Sequence, residues 1–193
     1  MKPLIAALFT SLVATSAGAI EYSGVQAEKS RIAFVSRQMG VAVNGRFPTF
    51  TAQVIFDPAR PEAGKVNIGI DLAGIDAGSK DANDEVVGKD WFNVRMFPTA
   101  TFTSTQVKGL GGDKYQVTGP LTIKNKSQVV TAPFTFKADG GNGIFEGSFI
   151  VKRVDFAIGE GPWTDLSMVA NDVLVNFHVV AAASATLAPA RLK

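Results

Sequence analysis

Apolar and polar side chains alternate with a period of two residues through most of the chain after Ile20. In residues 66–72, apolar side chains take every second position, and Asn67, Gly69 and Asp71 stand between them. This period is that of a β-strand with one buried face. The same alternation recurs in residues 32–35, 54–56, 121–123, 134–136, 145–151 and 173–179, with glycine-rich turns at 109–113 and 140–143. The pattern predicts an all-β protein, either a sandwich or an antiparallel barrel.

Residues 79–87 break this alternation and are rich in charged side chains. Ser79 and Asp81 are both residue types that cap helix N-termini, and acidic side chains in a first turn interact favourably with the helix dipole. We therefore predict one short helical insert near residues 79–92, lying over the end or the side of the sheet.

The two ends of the chain differ in composition from the predicted strands. Residues 1–19 carry the basic residue Lys2 near their start, continue as an apolar run and end in Ala17-Gly18-Ala19. This pattern is typical of a secretory signal, and the run is too short to span a bilayer. We expect cleavage after Ala19, export to a bacterial periplasm and a barrel domain over residues 20–180. The Ala-rich residues 181–193 are predicted to form a disordered tail.

Composition narrows the chemistry that the chain can carry out. It has 193 residues, a formal net charge of +2, one His and no Cys. The absence of Cys excludes disulfides, zinc ribbons and thiol catalysis, and the small net charge argues against a nucleic-acid partner. Neither a nucleophile-elbow motif nor a phosphate-binding loop is present. We therefore predict no catalytic residues, no metal ligands and no cofactor.

Phenylalanine is unusually frequent, with 14 Phe against 2 Trp and 2 Tyr. Phe contributes apolar area without a polar group that needs a hydrogen bond. An eight-stranded barrel is wide enough either to be filled by its own side chains or to hold one small apolar ligand. The composition leaves both interiors open.

Seven short segments, spread over residues 22–180, together carry a resemblance to a known family. They are Ser30-Arg31-Ile32-Ala33-Phe34, Gly40 with Val43-Asn44-Gly45-Arg46-Phe47 and Phe50, Phe56-Asp57, Lys89-Asp90-Trp91-Phe92-Asn93-Val94 with Phe97-Pro98, Phe102-Thr103-Ser104, Gly119 with Leu121-Thr122-Ile123-Lys124, and Arg153 with Asp155-Phe156 and Ile158-Gly159. In this order they resemble the YceI-like family, the polyisoprenoid-binding periplasmic proteins with a lipocalin-like barrel.

The resemblance implies an eight-stranded antiparallel barrel that holds an isoprenoid tail inside, with the polar head near its mouth. It implies a non-enzymatic carrier or sequestering protein whose lipid, polyprenyl or quinone-like, is a ligand rather than a cofactor. Transient contact with a membrane or a membrane protein would follow, as a monomer or a homodimer. Many members carry a His before the glycine matched by Gly40, where this chain has Arg37-Gln38-Met39. This departure concerns the head group and leaves the tail site unchanged.

Strand parity and these motifs together predict which residues form the site. The predicted barrel lining comprises Ile32, Phe34, Phe56, Ile68, Ile70, Phe102, Ile123, Phe134, Phe136 and Phe149, with Trp91, Phe97, Phe156 and Trp163 near the insert or the barrel ends. Arg37, Arg46 and Arg153 are candidate contacts to an anionic head group, because a guanidinium binds such groups well.

Three other functions stay open at this level. The first is a filled barrel that binds a partner or acts in stress, without a lipid. The second is an enzyme that uses Asp71, Asp90 and Arg153, although these form no recognisable acid–base pair in the sequence. The third is a small outer-membrane barrel. Such barrels carry girdles of aromatic residues, and two Trp and two Tyr would form only a poor girdle.

Overall fold

The computed structural model describes residues 20–185, and the predicted signal segment lies outside them. Within this range the chain forms eleven strands and one α-helix. The strands are β1 Ile20–Val25, β2 Arg31–Gln38, β3 Val41–Phe47, β4 Phe50–Ile55, β5 Lys65–Asp71, β6 Thr99–Thr103, β7 Gln106–Gly111, β8 Lys114–Ile123, β9 Lys126–Asp139, β10 Asn142–Lys152 and β11 Asp172–Ala185. The helix α1 is Lys80–Val86, and short 3₁₀ helices lie at Ala27–Lys29, Pro61–Ala63, Arg153–Phe156 and Gly161–Thr164.

All strand pairs are antiparallel and belong to one curled sheet with the order β3-β2-β11-β10-β9-β8-β6-β5-β4. The two ends of this path, β3 and β4, follow each other directly in the chain. Tyr22 in β1 and Phe56, directly after β4, also exchange two backbone hydrogen bonds, of 2.8 and 3.1 Å. The predicted all-β, lipocalin-like architecture is confirmed.

The structure has eleven strands rather than the eight predicted. The difference arises because three of the eight strand positions around the barrel are each occupied by two shorter strands. β1 and β2 pair with successive parts of β11, and β6 and β7 pair with successive parts of β8. The third division lies between β3 and β4 at Pro48, which has no N–H to donate to a neighbouring strand. At the β6–β7 division Gly119 permits a close approach, since a Cβ there would lie 2.1 Å from the Thr103 carbonyl oxygen. Counting each of these three pairs as one strand gives the predicted eight strands.

The C-terminal boundary predicted from the sequence was wrong by five residues. Residues 181–185 were assigned to a disordered tail, yet they form the end of β11 and pair with β1. Ala181 is fully buried in this pairing. A small side chain is what such a tightly packed strand end accommodates, so the Ala-rich composition that suggested disorder reflects packing here. Residues 186–193 lie outside the described part of the chain.

The predicted helical insert is confirmed, with the helix itself shorter than residues 79–92. Ser79 is the N-cap, and its Oγ accepts a hydrogen bond from the Ala82 N–H at 3.2 Å. The helix ends at Val86, and a series of turns reaches Met96 before β6 begins at Thr99. The insert therefore lies between β5 and β6, at the end of the barrel where β5 finishes.

Candidate functional site

The interior of the barrel is hollow at the end covered by α1. A cavity of about 520 Å³ is bounded by side chains from β2, β3, β5, β8, β10 and β11 and by the inner face of α1. This volume falls within the roughly 300–1,000 Å³ typical of small-molecule sites. Asp81 and Glu85 border the cavity and are exposed to solvent, so the cavity reaches the surface beside α1. We call this opening the mouth.

A second cavity of about 130 Å³ lies deeper in the barrel, and every side chain that lines it is apolar. The outer and inner cavities share four lining residues, Ile70, Leu121, Phe149 and Val175. A long apolar chain entering from the mouth would therefore pass these four residues to reach the inner cavity. The alternative of a completely filled interior does not describe this barrel.

An aromatic cluster closes the end of the barrel opposite the mouth. Phe56 is 2% exposed, and its ring centroid lies 5.1 Å from Phe136, 5.2 Å from Phe145 and 5.2 Å from Tyr115. Phe136 in turn packs edge-on against Tyr22 at 4.9 Å. Burial also raises the pKa of Tyr115, and the nearby charge of Asp113 raises it further. The cluster gives the cavity one open and one closed end.

Eleven of the fourteen predicted lining residues border these cavities. Phe34, Ile70, Trp91, Ile123, Phe149 and Trp163 border the outer cavity, and Ile32, Phe56, Ile68, Phe102 and Phe134 border the inner one, with Ile70 and Phe149 shared. Parity located those that lie in or directly after strands, because both cavities use the inward face of the sheet, whereas Trp91 and Trp163 were predicted from their motifs.

The other three predicted lining residues border neither cavity. Phe136 belongs to the aromatic cluster at the closed end. Phe156 is 2% exposed and packs into the core from the 3₁₀ helix Arg153–Phe156. Phe97 is half-buried in the turns that follow α1. All three contribute to packing, so their assignment to the lining is corrected here.

The three arginines predicted to contact a head group are not available for it. In the β2–β3 ladder, Arg37 lies opposite Ala42 and Arg46 lies opposite Ala33. Both arginines occupy outward-facing positions, on the opposite face of the sheet from Phe34. Arg46 Nε donates to Asp76 Oδ2 at 3.0 Å, and Arg37 Nη1 donates to the Gly40 carbonyl oxygen at 3.1 Å. Both side chains are exposed outside the barrel, which corrects their assignment.

Arg153 borders the outer cavity but uses its donors on the protein itself. The side chain is 2% exposed, and its guanidinium makes five hydrogen bonds to backbone carbonyls. Burial lowers the pKa of this guanidinium, which nevertheless stays charged in proteins. With every N–H engaged, Arg153 holds the loop beside the mouth and offers no donor to an anion.

Sequence reasoning missed the polar side chains of the outer cavity, which are Ser36, Gln38, Ser79, Asp81 and Glu85. Ser36 and Gln38 continue the inward parity of Ile32 and Phe34 toward the end of β2, a signal that was present in the sequence. Asp81 and Glu85 are four residues apart and thus share one face of α1. Whether that face would point inward could not be read from a seven-residue helix.

Glu85 joins the insert to a distant loop at the mouth. Its Oε1 accepts hydrogen bonds from Trp91 Nε1 at 3.1 Å and from Trp163 Nε1 at 2.8 Å. The two indole rings lie 5.4 Å apart, and both border the outer cavity. A single carboxylate oxygen therefore connects α1, the turn after it and the 3₁₀ helix Gly161–Thr164.

Other chemistries find no support among residues 20–185. No group of three or more His, Cys, Asp or Glu side chains there is close enough to hold a metal ion. Asp71 and Asp90, the carboxylates considered for catalysis, border neither cavity. Over the same residues, no helix has the length and apolar character needed to cross a membrane.

Comparison with known proteins agrees with the resemblance noted in the sequence. The family model of the YceI-like domain matches residues 24–181. A UPF0312 protein of Azotobacter vinelandii is 33% identical over 120 residues, which are 59% of this chain and 62% of that protein. The crystal structure of Burkholderia cenocepacia BcnA is 46% identical, with a TM-score of 0.80, and covers 82% of this chain and 99% of that one.

A polyisoprenoid binding domain from Saccharophagus degradans, implicated in plant cell wall breakdown, has a similar fold. Its TM-score is 0.64 at 17% identity, and the match covers 86% of this chain and 99% of that domain. At this level of identity the likeness concerns the fold alone.

Proposed function

Because this chain belongs to the YceI-like family, we propose that it binds an amphiphilic isoprenoid lipid in its barrel and carries or sequesters it in a bacterial periplasm. The observation that supports this proposal is the polarity of the interior. The inner cavity of about 130 Å³ is lined only by apolar side chains, and the polar lining belongs to the outer cavity of about 520 Å³. An apolar tail and a polar head would be accommodated in that order. The lipid is a ligand, and no catalysis or cofactor forms part of the proposal.

The lining of the mouth favours a head group without negative charge. Among the described residues, the outer cavity is bordered by the carboxylates Asp81 and Glu85, and its one cationic side chain, Arg153, is engaged by backbone carbonyls. A phosphate or diphosphate head would lose its hydration and meet like charges there. A hydroxyl or phenol head would find acceptors in the carboxylates and in Gln38. We therefore propose an uncharged, hydrogen-bonding head group.

Exchange of such a lipid with a membrane can be nearly balanced in free energy. Burial of each CH₂ group against water is worth about 0.8 kcal/mol, but the lipid's alternative environment is a bilayer as apolar as the barrel. Most of the hydrophobic term then cancels, and shape, tail ordering and head-group contacts decide the balance. This property suits a carrier that must both accept and release its ligand.

The proposal is tested by mass spectrometry of an organic extract from protein purified without detergent, followed by uptake assays. We expect a stoichiometric isoprenoid, and preference for a polyprenol over the polyprenyl phosphate of the same tail length. Phe149→Gln should weaken uptake at least about tenfold, because it puts a polar group between the two cavities. The control Ile150→Gln changes the outward-facing neighbour, which is 49% exposed, and should leave uptake unchanged.

An empty extract, together with no uptake of either lipid, would overturn the proposal and favour a protein-partner function. Preference for the phosphate would retain the tail site but refute the proposed head group.

A further inference from the structure

We propose that a small apolar patch beside the mouth docks this protein on the surface of a lipid bilayer. The patch consists of Met39, Val41, Leu166 and Met168, and we call it the mouth patch. The inference rests on the proposed function, because it identifies where a carried lipid would leave or enter the cavity.

Two turns of the chain are held together to form the mouth patch. Met39 and Gly40 have φ values of 48° and 80°, which form the tight turn between β2 and β3. The Met39 N–H donates to the Met168 carbonyl oxygen at 2.8 Å, and Gln38 forms a β-bridge with Val169. The backbone thus fixes the two turns side by side and brings the segments that carry the exposed apolar side chains together.

The four side chains of the mouth patch are well exposed to solvent. Met39 is 71% exposed, Val41 68%, Leu166 49% and Met168 41%. Together they present an area on the order of 400 Å², a size at which an apolar patch on a monomer is often functional. That area is about half of the ~800 Å² that each partner buries in a standard protein–protein interface. A bilayer, which needs no shape complementarity, suits the patch better than a second copy.

The mouth patch is continuous with the outer cavity. Gln38, Val43 and Val169 border that cavity, and each lies within two residues of a member of the patch. Insertion of the patch into the interface between head groups and acyl chains would bring the mouth to the same depth. A lipid tail could then move between bilayer and barrel with little exposure of its length to water.

The charges within the two turns that carry the mouth patch cancel. Arg37 is exposed next to the β2–β3 turn, and Asp165 begins the turn that carries Leu166 and Met168. Hydrogen bonds from the Ser167 hydroxyl and backbone N–H lower the pKa of Asp165, so this carboxyl is ionised at neutral pH. With one charge of each sign in these two turns, we expect apolar contact to dominate docking. The exposed carboxylates Asp81 and Glu85 at the mouth should make anionic lipid weaken docking rather than strengthen it.

Co-flotation of the purified protein with phosphatidylcholine vesicles, with and without phosphatidylglycerol, tests this inference. The double variant Met39→Ser/Val41→Ser should reduce the bound fraction at least about tenfold at both lipid compositions. The matched control is Ile55→Ser/Leu110→Ser, which changes side chains 44% and 50% exposed at the closed end of the barrel. It should bind vesicles as the parent protein does. Unfolding midpoints of both variants verify that they fold.

A parallel assay separates failure of docking from failure of the proposed function. Prenol added from ethanol, without vesicles, should be taken up equally by the parent protein and by Met39→Ser/Val41→Ser. If the parent takes up prenol but does not float with vesicles, or if both double variants bind vesicles equally, docking by the mouth patch is refuted and lipid binding stands. Dimerisation that is lost only in Met39→Ser/Val41→Ser would also refute it, in favour of a second copy.

Discussion

At the scale of single residues, Arg153 shows how a buried charge can organise a loop instead of binding a ligand. Its Nε donates to Ala170, and its two Nη atoms donate to Ile158, Gly159, Trp163 and Val169. Gly159 has a φ of 76°, and a Cβ there would lie 2.4 Å from Arg153 Nη1. The close packing of glycine and guanidinium makes this arrangement specific to both residues.

Replacing Arg153 with Met should destabilise the fold by at least about 3 kcal/mol, because five carbonyls would lose a charged donor while still shielded from water. The unfolding midpoint in urea measures the change. Lys152→Met, at the exposed neighbouring position, is the control and should stay within about 0.5 kcal/mol of the parent protein. Equal midpoints for the two variants would contradict the role given to Arg153.

The sequence reveals the cavity lining at this scale better than it reveals Arg153. Phe34 and Ile70 follow a parity that can be counted along a strand. The partners of Arg153 are backbone carbonyl groups, which every residue type carries, so no pattern of side chains in the sequence indicates them. Arg37 and Arg46 differ from Arg153 in this respect, because countable strand parity already places both on the outward face, opposite to Phe34.

At the scale of elements, Glu85 joins the helical insert to the loop on the other side of the mouth. The helix has only seven residues, which is too short to be stable alone in water. Its position therefore depends on contacts such as those of the Glu85 carboxylate with Trp91 and Trp163. An insert held this way is a natural place for the cavity to open.

Glu85→Ala should increase hydrogen exchange in residues 79–97 and speed the release of a bound prenol, while global stability changes by about 1 kcal/mol or less. Asp84→Ala is the matched control, because Asp84 lies next to Glu85 in α1 and its carboxylate pairs instead with exposed Lys80. Identical exchange in the two variants would show that the bridge to the tryptophans does not hold the insert.

Element boundaries illustrate what periodicity can and cannot predict. The capping residue Ser79 and the break in alternation located α1 correctly. Between β6 and β7 the inward-facing positions change parity, from Ala100 and Phe102 to Val107, so alternation does not show that the two strands pair with the same neighbour. The C-terminal part of β11 was missed because alanines carry little contrast between a buried and an exposed face.

At the scale of the whole molecule, the barrel has one open and one closed end, so tail length should be selected by depth. The mouth lies beside α1, and the aromatic cluster around Phe56 limits how far a ligand can extend. The inner cavity of about 130 Å³ is the last space before that cluster. Neither the depth nor the closed end could be deduced from the sequence, because filled and hollow barrels share the same alternation.

Phe102→Trp should fill part of the inner cavity and shift the preference toward shorter isoprenoid tails. The assay is competition among prenols of graded length, read by mass spectrometry of the bound fraction. Thr103→Trp adds the same ring to the exposed neighbouring position of β6 and serves as the control. An unchanged length profile in Phe102→Trp would exclude the inner cavity from the tail site.

The bridge at the mouth also has an optical consequence. Trp91 and Trp163 are the two tryptophans of the chain, and both border the outer cavity. Indole emission selectively excited in this protein therefore originates wholly from the opening, with none from the closed end. A quinone entering the barrel would quench that emission by accepting an excited electron or its energy, whereas a prenol, which carries no such acceptor, would only shift the emission wavelength by displacing water. The unlabelled protein thus carries a fluorophore pair that can report the occupancy of its mouth and the chemical type of the head group in a single titration.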